Sequence, residues 1–355
     1  MSEVYYSDYL QLDKILSAQE PESIKAGLRA DDEMLFIIIH QTYELWFKQI
    51  LFELEIVRSI FGQSGINDNS PDIIISVHRL KRIASIFMLA VDQINIIETM
   101  TPLDFLDFRN LLRPASGFQS IQFKIIEATL GLKYEHRFAQ EYYISMLKPA
   151  DVQKVKEAES LPSIVTLIKQ WLERMPFFEQ SELWQKYMAV HTNTSSEHTF
   201  WNDYRKLYDS SLVDAEKSNL QHFDELFMEN MPYPENRSFS RKANRSILFI
   251  MLYRDYPLMQ LPFQLLNTLL DIDELISTWR YRHVNMVHRM IGTRIGTGGS
   301  SGKDYLRSAL DKHYIFKEIA ELTSFLIERR NLPVLTPELQ HILGYSDINK
   351  SNVVN

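Results

Sequence analysis

The chain has 355 residues, carries 38 Lys and Arg against 46 Asp and Glu for a net charge of −8, and contains no cysteine. That length can bury a large core as one big domain or as two of ordinary size. The acidic balance, with both signs scattered, argues against nucleic acid as a partner, and the lack of cysteine removes disulfides, thiolate metal sites and cysteine nucleophiles together.

The opening residues MSEVYYSDYL lack the basic and apolar regions of a signal peptide. The longest apolar runs, Met34–Ile39 and Ile247–Tyr253, are too short to span a bilayer. A cytoplasmic protein with no membrane partner is expected. Twenty Phe, 17 Tyr and 5 Trp beside only 11 Gly favour long helices with aromatic packing.

Ser7–Leu16 reads as one short amphipathic helix with Tyr6, Tyr9 and Leu10 on its aromatic side. Such a helix is marginal alone and needs a surface to dock on, in its own chain or a neighbouring subunit. A long helix is predicted over 32–61, headed by Asp31, Asp32 and Glu33, where a helix N-terminus favours negative charge. Phe36, His40, Tyr43 and Phe47 fall on one side of it at helical spacing. A second long helix covers about 72–100. Thr101-Pro102-Leu103-Asp104 then supplies a cap, a proline at the first helical position and an acid in the first turn. The short helix so begun puts Phe105, Arg109 and Leu112 on a common face and ends at Pro114. Ser116-Gly117-Phe118-Gln119 is a capping box that predicts another helix toward Leu132.

Through 133–240 the proline breaks predict helices near 150–160, 162–175, 180–190 and 210–230, with His191 and His198 read as polar loop residues. An apolar helix follows over 240–254. After Pro262 a long helix over 263–291 carries Trp279, His283, Val287 and Met290 on one side and turns His288 to another. The helical pattern stops at Gly292, and Gly296, Thr297, Gly298 and Gly299 begin a loop whose amides and hydroxyls suit a small polar group. Residues 304–330 read as a last amphipathic helix before a frayed tail. With no alternating strand pattern and no internal repeat, the expectation is an all-α fold in a single domain, 1–355.

Familiar catalytic motifs are absent. Gly302-Lys303 is followed by Asp304 and preceded by Thr297 where a phosphate loop needs Ser or Thr and Gly. The lone ExxH, Glu338 to His341, is one of the two a di-iron bundle requires. What remains is two aromatic-flanked histidines, an arginine beside a capped turn, and a Gly/Thr/Ser loop just past one histidine. A histidine on an apolar face is most often a core residue, and an arginine at a turn is most often a surface ion pair. In a cysteine-free helical chain the same set also suits a non-covalently held haem or another small ligand.

Four blocks go further: YSDYLQLDKILSAQ at Tyr6–Gln19, DEMLFIIIHQTYELWFKQILFEL at Asp32–Leu54, TPLDFLDFRNLLRPASGFQSIQFK at Thr101–Lys124, and WRYRHVNMVHRMIGTRIGTGGSSGKDYLR at Trp279–Arg307. In order and spacing the sequence resembles the tryptophan 2,3-dioxygenase family, helical haem enzymes that open the indole ring of L-tryptophan. The head of the long helix departs slightly, with Asp31 where many relatives have His.

The resemblance implies one haem b per subunit, with His283 as axial ligand of the iron and Ser116 near the haem. It implies that His40 meets the substrate indole N–H, that Phe36, Phe105 and Leu112 line the pocket, and that Arg109 pairs with the substrate carboxylate. Thr297 would hold the amino-acid ammonium and carboxylate. Tyr6, Tyr9 and Leu10, within an N-terminal segment 1–20, would reach into a neighbouring subunit's pocket, which implies a homotetramer. The reaction implied is addition of O2 across the indole C2–C3 bond to give N-formyl-L-kynurenine, the first step of the kynurenine pathway. A haem-based tryptophan or oxygen sensor, and a related haem enzyme acting on a modified indole, remain alternatives at this stage.

Overall fold

A computed structural model describes residues 3–63, 71–132, 145, 147–175, 181–190, 198–294 and 314–344. Every regular element among them is helical, as the composition predicts. The chain divides into two compact units, each assembled from three separate stretches.

The first unit comprises Met1–Glu53, Ile83–Leu161 and Glu274–Tyr314. It opens with three short helices, α1 (Tyr6–Leu10), α2 (Leu12–Leu16) and α3 (Glu22–Lys25). The single helix expected over 7–16 is therefore two. The chain breaks at Gln11, whose backbone is left-handed at φ 52° and whose side-chain amide donates to the Asp8 carbonyl, closing the first helix. Tyr6 and Tyr9 are each 75 % exposed.

The fully buried Glu33 carboxylate accepts the backbone N–H of Glu22 and of Ser23, both at 2.9 Å. These are orphan donors at the start of α3, so a residue from the next helix caps it. Glu33→Ala should destabilise the protein by about 1–3 kcal/mol by stranding two donors, read as a lower urea midpoint. An unchanged midpoint would remove the clamp from this account.

Three long helices contribute residues to both units: α4 (Glu33–Phe61), α5 (Pro71–Ile97) and α14 (Pro257–Ile291). Between α5 and α14 lie α6 (Pro102–Arg109), α7 (Ile121–Leu130) and α8 (Pro149–Ser160) in the first unit. The second unit adds α9 (Ile164–Glu173), α10 (Ser181–Val190), α11 (Thr199–Ser211), α12 (Ser218–Phe227) and α13 (Arg241–Leu252).

The capping box at Thr101 is present in full, with Thr101 Oγ1 accepting the Asp104 N–H and the Asp104 carboxylate accepting the Thr101 N–H. The box at Ser116 is present too, but it caps only a 3₁₀ turn at Gly117–Gln119. Helix α7 starts after it, under a second cap from Ser120, whose hydroxyl accepts the Phe123 N–H. Pro262 lies inside α14 instead of before it. The helix begins at Pro257, whose missing N–H costs nothing at a first helical position, and Pro262 forfeits one bond near that end.

The second unit comprises Leu54–Arg82, Pro162–Asp273 and Ile315–Asn355. Its core is aromatic, with Trp184, Phe200, Tyr204, Phe223 and Phe249 buried. The helix expected over 210–230 is the shorter α12, and α11 precedes it unpredicted, because His198 is a helix cap and not a loop residue: its Nδ1 accepts the Phe200 N–H at 3.3 Å. Burial and the Arg245 charge push its pKa down to about 4, so it stays neutral, as an accepting cap must. His191 lies outside the described residues.

The single helix expected toward residue 330 is α15 (Lys317–Glu321) followed by 3₁₀ turns, and the expected tail contains α16 (Pro337–Leu343). Tyr208, Tyr204 and Tyr253 hydroxyls donate to the carbonyls of Ser324, Phe325 and Pro333. Long-range partners hold those carbonyls, so a continuous α-ladder is not needed there.

Candidate active site

Helices α4, α6 and α14, with α7 behind them, bring Phe36, His40, Phe105, Trp279 and His283 into one run of ring contacts. Phe36 on α4 lies 5.7 Å from Phe105 and 5.6 Å from Phe108 of α6, ring centre to ring centre, and 4.1 Å from His40 one turn along its own helix. His40 meets Tyr43 edge-on at 6.4 Å, Tyr43 meets Trp279 of α14 edge-on at 5.9 Å, and Trp279 stacks on His283 at 5.2 Å with their planes 6° apart. An aromatic wall thus runs from α6 across α4 to α14.

Each ring on this wall follows from helical spacing: i to i+4 for Phe36 and His40 and again for Trp279 and His283, i to i+3 for His40 and Tyr43. Phe108 and Phe123 belong to the wall without having been singled out. Phe108 could have been found three residues after Phe105 on the same helix face. Phe123 packs on Trp279 at 5.0 Å and on Phe47 at 5.4 Å.

His40 Nδ1 lies 2.7 Å from the Phe36 carbonyl oxygen. A carbonyl can only accept, so Nδ1 carries the proton and the neutral ring presents an unprotonated Nε2 as an acceptor. Burial holds His40 below the usual histidine range, and that favours this neutral state. His283 is pushed down to about 4, first by burial and then by the nearby His40. Both imidazoles are therefore neutral at pH 7. His288 is exposed on another side of α14, as expected, and Gly292 ends that helix at φ 58°.

Arg109 is only 4 % exposed at the end of α6. Burial lowers its pKa, and the cations Arg113 and Arg294 lower it further. Two further cations therefore lie near this buried guanidinium. Leu112 sits half-buried in the 3₁₀ turn that follows, where the helix type changes. Ser116 is half-buried and its hydroxyl accepts the Phe118 N–H. Tyr6 and Tyr9 are exposed and make no ring contact with the wall among the described residues; Leu10 is half-buried. Thr297 lies outside the described residues.

Among the described residues no cluster of three or more His, Asp or Glu could hold a bare metal ion. His283 by contrast offers a single neutral imidazole, with no hydrogen bond to either ring nitrogen among the described residues, beside large aromatic surfaces. One nitrogen donor, no thiolate and a broad apolar wall fit a planar macrocycle that brings its own metal and needs one axial ligand.

The fold and this site together define an all-helical protein with an aromatic wall, two neutral imidazoles and a buried arginine. A family-wide sequence profile described as tryptophan 2,3-dioxygenase matches residues 1–326. The protein called tryptophan 2,3-dioxygenase in Bdellovibrio bacteriovorus is 44 % identical over 344 residues, covering 94 % of this chain and 95 % of the relative. Proteins of the same name in Dictyostelium discoideum and Anopheles gambiae are 43 % and 42 % identical over 358 residues, covering 97 % and 96 % of this chain and 88 % and 89 % of the relatives. The chain belongs to the tryptophan 2,3-dioxygenase family.

Proposed function

We propose that this chain opens the indole ring of L-tryptophan with O2, giving N-formyl-L-kynurenine as the first step of tryptophan degradation through the kynurenine pathway. The observation that carries the reading is the family match along nearly the whole chain. Both oxygen atoms enter the product across C2–C3, so the overall reaction balances without an external reductant. His283 would hold haem b, one per subunit, which when bound would supply the activation of O2 that a closed-shell indole cannot provide.

The residues of the chain bind and orient. Arg109 pairs with the substrate carboxylate, with Thr297 holding the ammonium and carboxylate from the loop past α14; Thr297 rests on its motif. Fixing both ends of the amino-acid backbone leaves one placement for the indole. Phe36, Phe105 and Leu112 pack on the ring and keep water from it, and Ser116 would help to hold the haem. The His40 Nε2 lone pair accepts the indole N–H. A neutral acceptor positions that proton without having to take it. His40→Ala should therefore slow turnover about ten- to a hundredfold while leaving the product unchanged; a variant with parental turnover would remove His40 from the site.

The exposed Tyr6 and Tyr9 and the half-buried Leu10 support a segment 1–20 that docks on a neighbouring subunit's pocket within a homotetramer. Both units are threaded by the same three long helices, which supports one catalytic domain over 1–355. No single helix among the described residues is long and apolar enough to cross a membrane, which together with the acidic net charge supports a cytoplasmic enzyme without membrane or nucleic-acid partners. Anaerobic titration of the ferrous, haem-loaded protein tests the substrate reading. L-tryptophan should perturb the haem spectrum at far lower concentration than tryptamine, which lacks the carboxylate. Equal response to both would contradict it.

A further inference from the structure

A histidine that binds metal usually donates its second ring N–H to a carboxylate, a backbone carbonyl or a water, and that bond fixes the ring's rotation and raises its basicity. Among the described residues His283 has no such bond. What it has is the near-parallel face of Trp279, 5.2 Å away and 6° from coplanar, one helical turn earlier on α14.

Trp279 cannot turn freely. Tyr43 meets it edge-on at 5.9 Å, Phe47 edge-on at 6.1 Å and Phe123 at 5.0 Å. Those neighbours are themselves anchored. The Tyr43 hydroxyl donates to the Ala90 carbonyl at 3.1 Å, and the Arg280 guanidinium lies over the Phe123 ring at 5.8 Å while pairing with the buried Glu127 carboxylate.

We propose that Trp279 is the positioning residue for His283: its clamped indole sets the plane of the imidazole, in the role a hydrogen bond usually fills. The proposal rests on His283 being the axial haem ligand. A stack holds the ring in rotation without itself adding the negative character that donation to a carboxylate confers.

The test is the iron–histidine stretching band in the resonance Raman spectrum of the ferrous haem protein, together with the rate of haem loss to an apo-globin acceptor. Trp279→Phe keeps an aromatic face and should keep the parental band. Trp279→Leu should displace and broaden the band and speed haem loss about five- to tenfold, the worth of one aromatic stack. Trp279→Met, with comparable apolar bulk and no ring, should reproduce the displaced band should the leucine variant not fold. A parental band and haem-loss rate in Trp279→Leu or Trp279→Met overturns the proposal. His283→Ala separates the two layers: the band should vanish, and its persistence would overturn the ligand reading beneath.

Discussion

Replacing His283 with alanine should give a protein that folds with parental helix content and retains no stably bound haem. The fold has little invested in this imidazole. It is half-buried and makes no hydrogen bond among the described residues, so removal costs the chain little more than its stack on Trp279, about 1 kcal/mol. The haem, by contrast, loses its only proposed protein ligand. Far-UV circular dichroism and haem-to-protein ratio check the two halves separately. Added free imidazole should restore part of the haem absorbance by entering the space left beside Trp279. Full haem retention in the variant without imidazole would end the assignment of His283.

Arg109→Ala should weaken L-tryptophan binding by about 2–4 kcal/mol, because in the proposed binding mode the substrate carboxylate then lies buried with its strongest partner gone. That is roughly a 30- to several-hundredfold rise in dissociation constant. The magnitude follows from placement: Arg109 is nearly fully buried, so its charge is poorly screened, and the nearby Arg113 and Arg294 add attraction without the same burial. Arg109→Lys should recover only part of the loss, since an ammonium cannot grip both carboxylate oxygens as a planar guanidinium does. Haem content should stay parental in both variants. Unchanged affinity in Arg109→Ala would move the carboxylate site elsewhere.

Helical periodicity made much of the site legible in advance. Phe36, His40, Tyr43 and Phe47 recur on one side of α4, and Trp279 and His283 on one side of α14, because a long helix transmits its 3.6-residue period directly into side-chain direction. The start of α6 was legible for a similar reason, since its cap, proline and acid act within four residues. Element boundaries fared worse where one residue's own backbone or a second local cap decides them. Gln11 breaks α1 from α2, Ser120 takes over from Ser116, and His198 caps α11 from a segment that reads as polar loop.

The Arg280–Glu127 pair joins positions 153 residues apart, and no local pattern points to it. The same holds for Phe123 against Trp279, a contact that exists only once α7 and α14 have met. The C-terminal region misled for the complementary reason: its amphipathic pattern is real, but tyrosine hydroxyls take up the Ser324 and Phe325 carbonyls, which a continuous helix would have used.

The most direct test of the central claim is a single turnover. The haem-loaded protein is reduced without air, mixed with L-tryptophan, then exposed to isotopically labelled O2, and the product is identified by mass spectrometry. This account predicts N-formyl-L-kynurenine carrying both labelled atoms, formed in step with O2 uptake. Tryptophan recovered unchanged, or a product carrying only one labelled atom, would contradict it.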